Sequence, residues 1–236
     1  MEYVANLYKQ RRVIIVLLAF VVFVAVIIIN SPKYIESISL VTVSDSIKIS
    51  SPAIDVLNTI AIKGRAPKTD YTREQFGANW AINNGCDTRN IILNRDLTNV
   101  VVDTECNVTS GTLNDPYTGT VIQFTRGSDT SNAVQIDHVV ALSDAWQKGA
   151  QQLSLDTRQT LANDPLELLA VSGPTNLQKG DGDAATWLPS NKTFRCQYVA
   201  RQIAVKQKYS LWMTQAEHDA IDLVLSKCPN QKLPIP

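Results

Sequence analysis

The sequence predicts an α+β fold, short strands and short helices set behind one N-terminal transmembrane helix. Three observations predict it: Val13 to Ile29 is an unbroken apolar run, short β-branched runs bounded by Gly, Pro, Asn and Asp recur from Tyr71 onward, and two amphipathic helical segments lie near the C-terminus. At 236 residues the chain can bury one good core with appendages, hardly two full domains. Basic and acidic side chains number 22 each, and residues 71–236 hold 14 Lys+Arg against 17 Asp+Glu. Global attraction to phosphate is absent, so a nucleic-acid ligand needs a local basic patch.

The run VIIVLLAFVVFVAVIII spans roughly 25 Å as a helix, close to the hydrocarbon thickness of a bilayer. Lys9, Arg11 and Arg12 precede it, which keeps the N-terminus cytoplasmic and sends everything after Asn30 across the membrane. A cleaved signal peptide, and hence secretion, is the rival reading, but the run is long for one and INSPKY lacks a small-x-small site. The expected organisation is a membrane anchor over residues 1–30, a spacer over 31–70 and an extracellular domain over 71–236. In the spacer, SISLVTVSDSIKIS alternates like a strand or two and AIDVLNTIAIKG like an amphipathic helical segment. Cys86, Cys106, Cys196 and Cys228 all follow the anchor, with no C-x-x-C pair. Three pairings are possible; Cys86 with Cys106 and Cys196 with Cys228 are expected because each couple brackets one local unit. Two histidines and oxidised thiols leave too few soft ligands for zinc.

Within the domain, Thr72 is placed to N-cap a helix through TREQFGANWAI. CDTRNIILNRDLTNVVVDTEC reads as a short helix and a strand closed at both ends by cysteine, and DPYTGTVIQF as a turn feeding a strand. VQIDHVVAL is a strand ending near His138. LSDAWQKGA and SLDTRQTLAN are helical in period, the second stopped by Asn163-Asp164-Pro165. LELLAV is a short apolar strand, and PTNLQKG a helical turn with Pro174 at its start and Gly180 at its stop. TFRCQYVARQIAVKQKY and TQAEHDAIDLVLSKC are two helices, the second opened by a Thr214/Glu217 capping box.

One of the two histidines, His138, follows an aspartate at a strand end and precedes a helix. Hydrolysis of a phosphodiester demands an activated water, a counter-charge for the transition state and stabilisation of the leaving oxygen. A neutral imidazole can take the water proton, and one hard cation held by oxygen ligands can serve the other two needs. Successive strand side chains diverge, so Asp137 can hold metal while His138 faces water. Asn176 supplies an amide oxygen from the later helical turn. Strand, Asp-His, helices, short strand and Asn-bearing helix is the order a ββα-metal nuclease needs.

IDHVVALSDAW, LANDPLELLAV, GPTNLQKGDGDAATWLP and FRCQYVARQIAVKQKYSLW resemble the exported HNH endonuclease family, ββα-metal nucleases related to the GmrSD restriction endonuclease C-terminal domain. GCDTRN and DPYTG upstream also match, and the resemblance runs from Tyr71 to Cys228. A lone Asp-His is a weak signal; DHVVAL, NDPLELLAV and TN-x-x-KGDGDAATWLP in this order are a strong one. The resemblance implies His138 as general base, Asp137 and Asn176 as ligands of one divalent metal, Mg²⁺ first with Mn²⁺ or Ca²⁺ also suited, and DNA or RNA as substrate. The middle HNH position, usually Asn, is Glu167 here. In the family that residue braces the loop and orients the histidine through its backbone carbonyl, which any residue provides. A Glu167 carboxylate beside His138 would stabilise imidazolium and move the activity optimum upward in pH.

Arg89 and Lys179 are candidates for substrate phosphate, with surface ion pairs to Asp87 or Asp181 as the plainer alternative. Asp183 reads as a turn residue, His218 as structural, and Trp146, Trp187 and Trp212 as core. Arg195, Arg201, Lys206 and Lys208 recur on one helix, as a basic strip or a solvated face. Two functions follow. One is a membrane-anchored endonuclease acting outside the cytoplasm, with nucleic acid and membrane as partners and no obligate protein partner. The other is a non-catalytic envelope binding protein on the same scaffold. A peptidase is disfavoured, because no nucleophile has a second histidine to serve it and H-E-x-x-H is missing.

Overall fold

A computed structural model describes residues Pro52–Pro234. The expected anchor and the SISLVTVSDSIKIS strands lie outside the described residues, among which no helix is long and apolar enough to cross a membrane. In chain order come α1 (Ala53–Leu57), a 3-10 turn (Arg73–Phe76), β1 (Ile82–Asn83), β2 (Cys86–Asp87), α2 (Thr88–Asp96), β3 (Thr98–Val102), β4 (Val108–Asn114) and β5 (Val121–Thr125). Then follow β6 (Val134–His138), α3 (Leu142–Gln147), α4 (Leu155–Ala162), β7 (Leu168–Ser172), α5 (Gly173–Lys179), α6 (Arg195–Lys208) and α7 (Gln215–Leu225).

Three small antiparallel sheets result: β1-β2, β3-β4-β5 and β6-β7. The last is central. Val134 pairs with Ser172 and His138 with Leu168, so β6 and β7 run opposite each other in unbroken register. Every residue of β7 is buried. Its alternate side chains serve two cores, Leu168 and Ala170 joining Ile92, Leu93 and Phe124 on one face, while Leu169 and Val171 join Val139, Tyr198 and Ile203 on the other. That is why LELLAV is apolar throughout rather than alternating.

Among the described residues no third strand covers the outer edge of β7. Carboxylates take its outward N–H groups, with Ala170 donating to Asp96 at 2.8 Å and Ser172 to Asp115 at 3.0 Å. Guanidinium groups take the Leu168 carbonyl, Arg95 Nη2 donating at 2.7 Å and Arg201 Nη1 at 3.3 Å, and Arg201 also reaches Leu166 O just before the strand, at 2.9 Å. A buried edge is thus satisfied by charged side chains in place of backbone.

Several expectations change. The helix expected after Thr72 is one 3-10 turn, because the Thr72 side chain caps nothing and Gly77 at φ +96° breaks it. Only half of the Thr214/Glu217 capping box forms: Thr214 Oγ1 accepts from the Glu217 N–H at 3.2 Å, while the Glu217 carboxylate reaches Lys148 and Lys206. The described end of the expected spacer is packed chain. Ala53, Val56, Leu57 and Ile60 lie in the larger core, Ile62 bridges to Met213, and Trp212 and Trp146 donate to the carbonyls of Gly64 and Thr69. Residue 71 is therefore not where the folded body starts, since this stretch carries its own apolar helical stripe. The disulfides are Cys86–Cys106 and Cys196–Cys228, with Cα separations of 5.4 and 6.4 Å.

Candidate active site

The end of β6 sends Asp137 and His138 to opposite sides. Asp137 turns inward and is 4 % exposed. Its Oδ1 accepts from Lys179 Nζ at 2.9 Å, and the Tyr117 hydroxyl donates to Oδ2. Lys179, itself 3 % exposed, also donates to the His138 carbonyl at 2.8 Å. Burial pushes the Asp137 carboxyl above its ordinary value, with the Lys179 ammonium and Tyr117 hydroxyl opposing part of that rise. Tyr117 is delivered by the DPYTG turn, where Asp115 accepts from the N–H groups of Tyr117 and Thr118 as well as from Ser172.

His138 is partly exposed. Its Nε2 lies 3.0 Å from the Ala162 carbonyl at the end of α4, and its ring stacks on Trp80 at 5.7 Å and 6°. A carbonyl only accepts, so Nε2 carries the proton in the neutral ring and Nδ1 keeps its lone pair. Burial, followed by the Arg73 charge, pushes the imidazole down to about 3, against the pull of the Ala162 carbonyl. The ring is uncharged at neutral pH, with its lone pair on Nδ1.

Asn176 projects from α5, whose position is fixed by close approach at its first residue. A Cβ on Gly173 would stand 1.9 Å from the Asn132 carbonyl oxygen. Pro174 starts the helix and Gly180 ends it, as expected. The Asn176 amide nitrogen donates to Gln135 Oε1 at 2.9 Å, which leaves the oxygen as the donor toward a cation. Asp137, His138 and Asn176 all line one cleft of about 270 Å³, with Tyr71, Arg73 and Asp181. A larger groove, about 780 Å³, lies between the Gly77–Asn83 segment and α4, its polar lining coming from Asn79, Asn83, Gln159, Asn163, Asp156 and Lys208 among others.

Other expected site residues are placed elsewhere. The Glu167 side chain is fully buried and accepts from the Val140 N–H at 3.2 Å, not from His138. Its backbone carbonyl accepts from Val139 N at 2.9 Å, so the carbonyl that meets the imidazole is that of Ala162. The upward shift that a Glu167 carboxylate beside His138 would give is absent, because that carboxyl sits on Val140 and not on the ring; burial and the Arg73 charge move the imidazole downward instead. Arg89 donates to the Val134 carbonyl at 3.2 Å and does not line the cleft. Lys179 turns inward onto Asp137 and does not pair with Asp181, which is paired with Lys68 at 2.9 Å.

Asp183 is a buried ion partner of Lys148 and Arg65 rather than a plain turn residue. The basic strip does not exist, since Arg195 and Arg201 cap backbone carbonyls, Lys206 is buried on Glu217 and Lys208 pairs with Asp164. Tyr117, Trp80 and Arg73 were not found from sequence. DPYTG was a visible signal for the first; the other two sit in a segment with no motif.

Among the described residues no three His, Cys, Asp or Glu side chains converge as a metal cage. A cation in the cleft would rest on one carboxylate, one amide oxygen and water, a donor set that fits a hard ion in kind. Asp137 would have to share its oxygens with Lys179 and Tyr117, which its remaining lone pairs permit.

Two antiparallel strands and a helix thus bring an acid, an imidazole and an amide to one cleft of a small disulfide-bonded α/β body. The chain belongs to the family described as GmrSD restriction endonucleases, C-terminal domain, whose model matches residues 87–222. That family is nuclease-related. A protein of Arthroderma benhamiae described as an uncharacterized secreted protein is 37 % identical over 185 residues, covering 78 % of this chain and 88 % of the relative. No solved structure matches.

Proposed function

We propose that this chain is an HNH-type, metal-dependent endonuclease that hydrolyses phosphodiester bonds of DNA, with RNA as a second substrate, outside the cytoplasm. The observation that carries the reading is the meeting of Asp137, His138 and Asn176 in one cleft, although a long stretch of chain separates the first two from the third. The nuclease-related family and the secreted relative support it. His138 takes the proton of the attacking water through Nδ1, its ring fixed in plane by Trp80 and in tautomer by the Ala162 carbonyl. Asp137 and Asn176 would hold one divalent ion, Mg²⁺ first, which when bound supplies charge for the transition state and for the leaving oxygen. Lys179 and Tyr117 hold the Asp137 carboxylate in place. An N-terminal membrane anchor goes with this reading, the domain facing outward.

The engagement of both Asp137 oxygens is the one feature that favours a non-catalytic binding protein instead. A plasmid-nicking assay of the detergent-solubilised full chain separates the two. We expect cleavage that EDTA abolishes and Mg²⁺ restores, and a loss of at least about 100-fold in His138→Ala, the usual worth of a general base. No cleavage, or equal rates with and without His138, would leave the binding protein standing.

A further inference from the structure

Among the described residues that line the cleft, one cation, Arg73, makes no salt bridge, although the exposed Glu74 beside it feels its charge, and it is not among the residues that sequence reasoning nominated. We infer that Arg73 is the phosphate-binding residue of the site, its guanidinium taking a backbone phosphodiester of the nucleic acid that enters the cleft. The inference rests on the nuclease reading and names the part of the site that grips substrate.

Charge accounting inside the cleft leads there. The Asp137 carboxylate is paired with Lys179 and the Asp181 carboxylate with Lys68, so each acid lining the cleft is already balanced. Arg73 lines the same cleft, is exposed, and among the described residues makes no ion pair. Its one hydrogen bond runs from Nη1 to the Gly77 carbonyl at 3.1 Å, which steadies the guanidinium and leaves N–H groups on its remaining nitrogens. An anion is what the residual charge calls for, and a planar fork of donors matches two oxygens of one phosphate.

The turn that carries Arg73 is rigidly seated. Phe76, three residues on, is fully buried and meets Tyr71 and Trp146 edge-on at 6.3 Å. Arg158 clamps Gln75 through both its backbone carbonyl, at 2.8 Å, and its side-chain oxygen, at 3.0 Å. A cation on such a turn presents a prepared charge rather than a loose surface one. Arg73 lies before the residues that match the family model, so the grip belongs to this chain's own N-terminal segment.

The test measures binding apart from cleavage. A fluorescent single-stranded oligonucleotide is titrated with the full chain in EDTA at several salt concentrations, using wild type, Arg73→Gln, Arg73→Lys and, as a control of equal charge change, Lys192→Gln. Arg73→Gln should weaken binding about tenfold and lower the slope of log affinity against log salt by about one contact. Arg73→Lys should recover part of the affinity and the slope, and Lys192→Gln should match wild type. If Arg73→Gln binds like Lys192→Gln, the inference about Arg73 fails while the nuclease reading stands. If wild type binds no oligonucleotide at all, the inference about Arg73 falls, and the nicking assay with Mg²⁺ decides the nuclease reading separately.

Discussion

At the scale of single residues, the site is governed by which carboxyls keep their charge. Glu167 is fully buried, its Oε2 held by the Val140 N–H and its Oε1 without a hydrogen-bond partner. Burial raises its pKa well above the ordinary glutamate value. A raised folded-state value means the folded chain keeps a proton that the unfolded chain releases. The stability it confers is therefore present below the unfolded value and drains away as pH rises toward the folded one. Glu167→Gln keeps the shape and the acceptor for Val140 but has no proton to lose. Its advantage over wild type should grow from pH 5 to pH 8, at up to about 1.4 kcal/mol per pH unit between the two values. Urea unfolding of the full chain at both pH values measures this; an advantage that does not change with pH would mean that Glu167 is ionised in the folded state.

At the scale of elements, the unit that matters is β6, β7 and α5. Gly173 joins the last two where the chain passes against Asn132, and a methyl there meets backbone, which cannot yield as a flexible side chain would. Gly173→Ala should cost about 1–3 kcal/mol by overpacking, and should cut cleavage beyond that loss because Asn176 rides on the displaced helix. Melting and nicking measured together decide it, and a variant with unchanged melting and full activity would refute the claim that this contact sets α5. Much of this unit was legible. Alternation marked β6, a short apolar run marked β7 and punctuation marked both ends of α5, and the Asp-His pair at a strand end stood out because histidine is so rare here. The direction of the long cations was not legible: Lys179 and Arg201 turn inward toward an aspartate or bare carbonyls supplied by distant segments. No local pattern announces such a partner. Tyr117 was hidden for the same reason, since its hydroxyl meets Asp137 only after the DPYTG turn docks on β7.

At the scale of the whole molecule, a buried ion cluster ties the N-terminal segment to the C-terminal helices. Lys148 Nζ lies 2.7 Å from Asp144, 2.8 Å from Asp183 and 2.6 Å from Glu217. Lys206 adds a second contact to Glu217, and Arg65 closes the cluster from the stretch first read as spacer, onto Asp144 and Asp183. Three cations thus meet three anions, and the side chain of Lys148 is fully sequestered. Removing one partner of such a cluster leaves charge stranded in low dielectric, so Lys148→Met should cost about 3–5 kcal/mol at pH 7. The cost should depend on pH. Burial works to raise the Asp183 carboxyl, but the Lys148 ammonium, the Arg65 guanidinium and the Thr186 hydroxyl together outweigh it and the net value is lowered. A lowered folded-state value gives stability that is present above the ordinary aspartate range and lost as pH falls through it. Without Lys148 much of that contribution disappears, and the Asp183 carboxylate takes up a proton more readily in the folded chain than it does in wild type. Wild type therefore loses in acid what the variant regains, and the gap between them should narrow steadily from pH 7 toward pH 3. Denaturant unfolding of both full-length chains across that range reads the gap directly. A gap constant in pH would show that Lys148 acts through packing of its methylene stem, and that the cluster is not what fastens the N-terminal segment to the body.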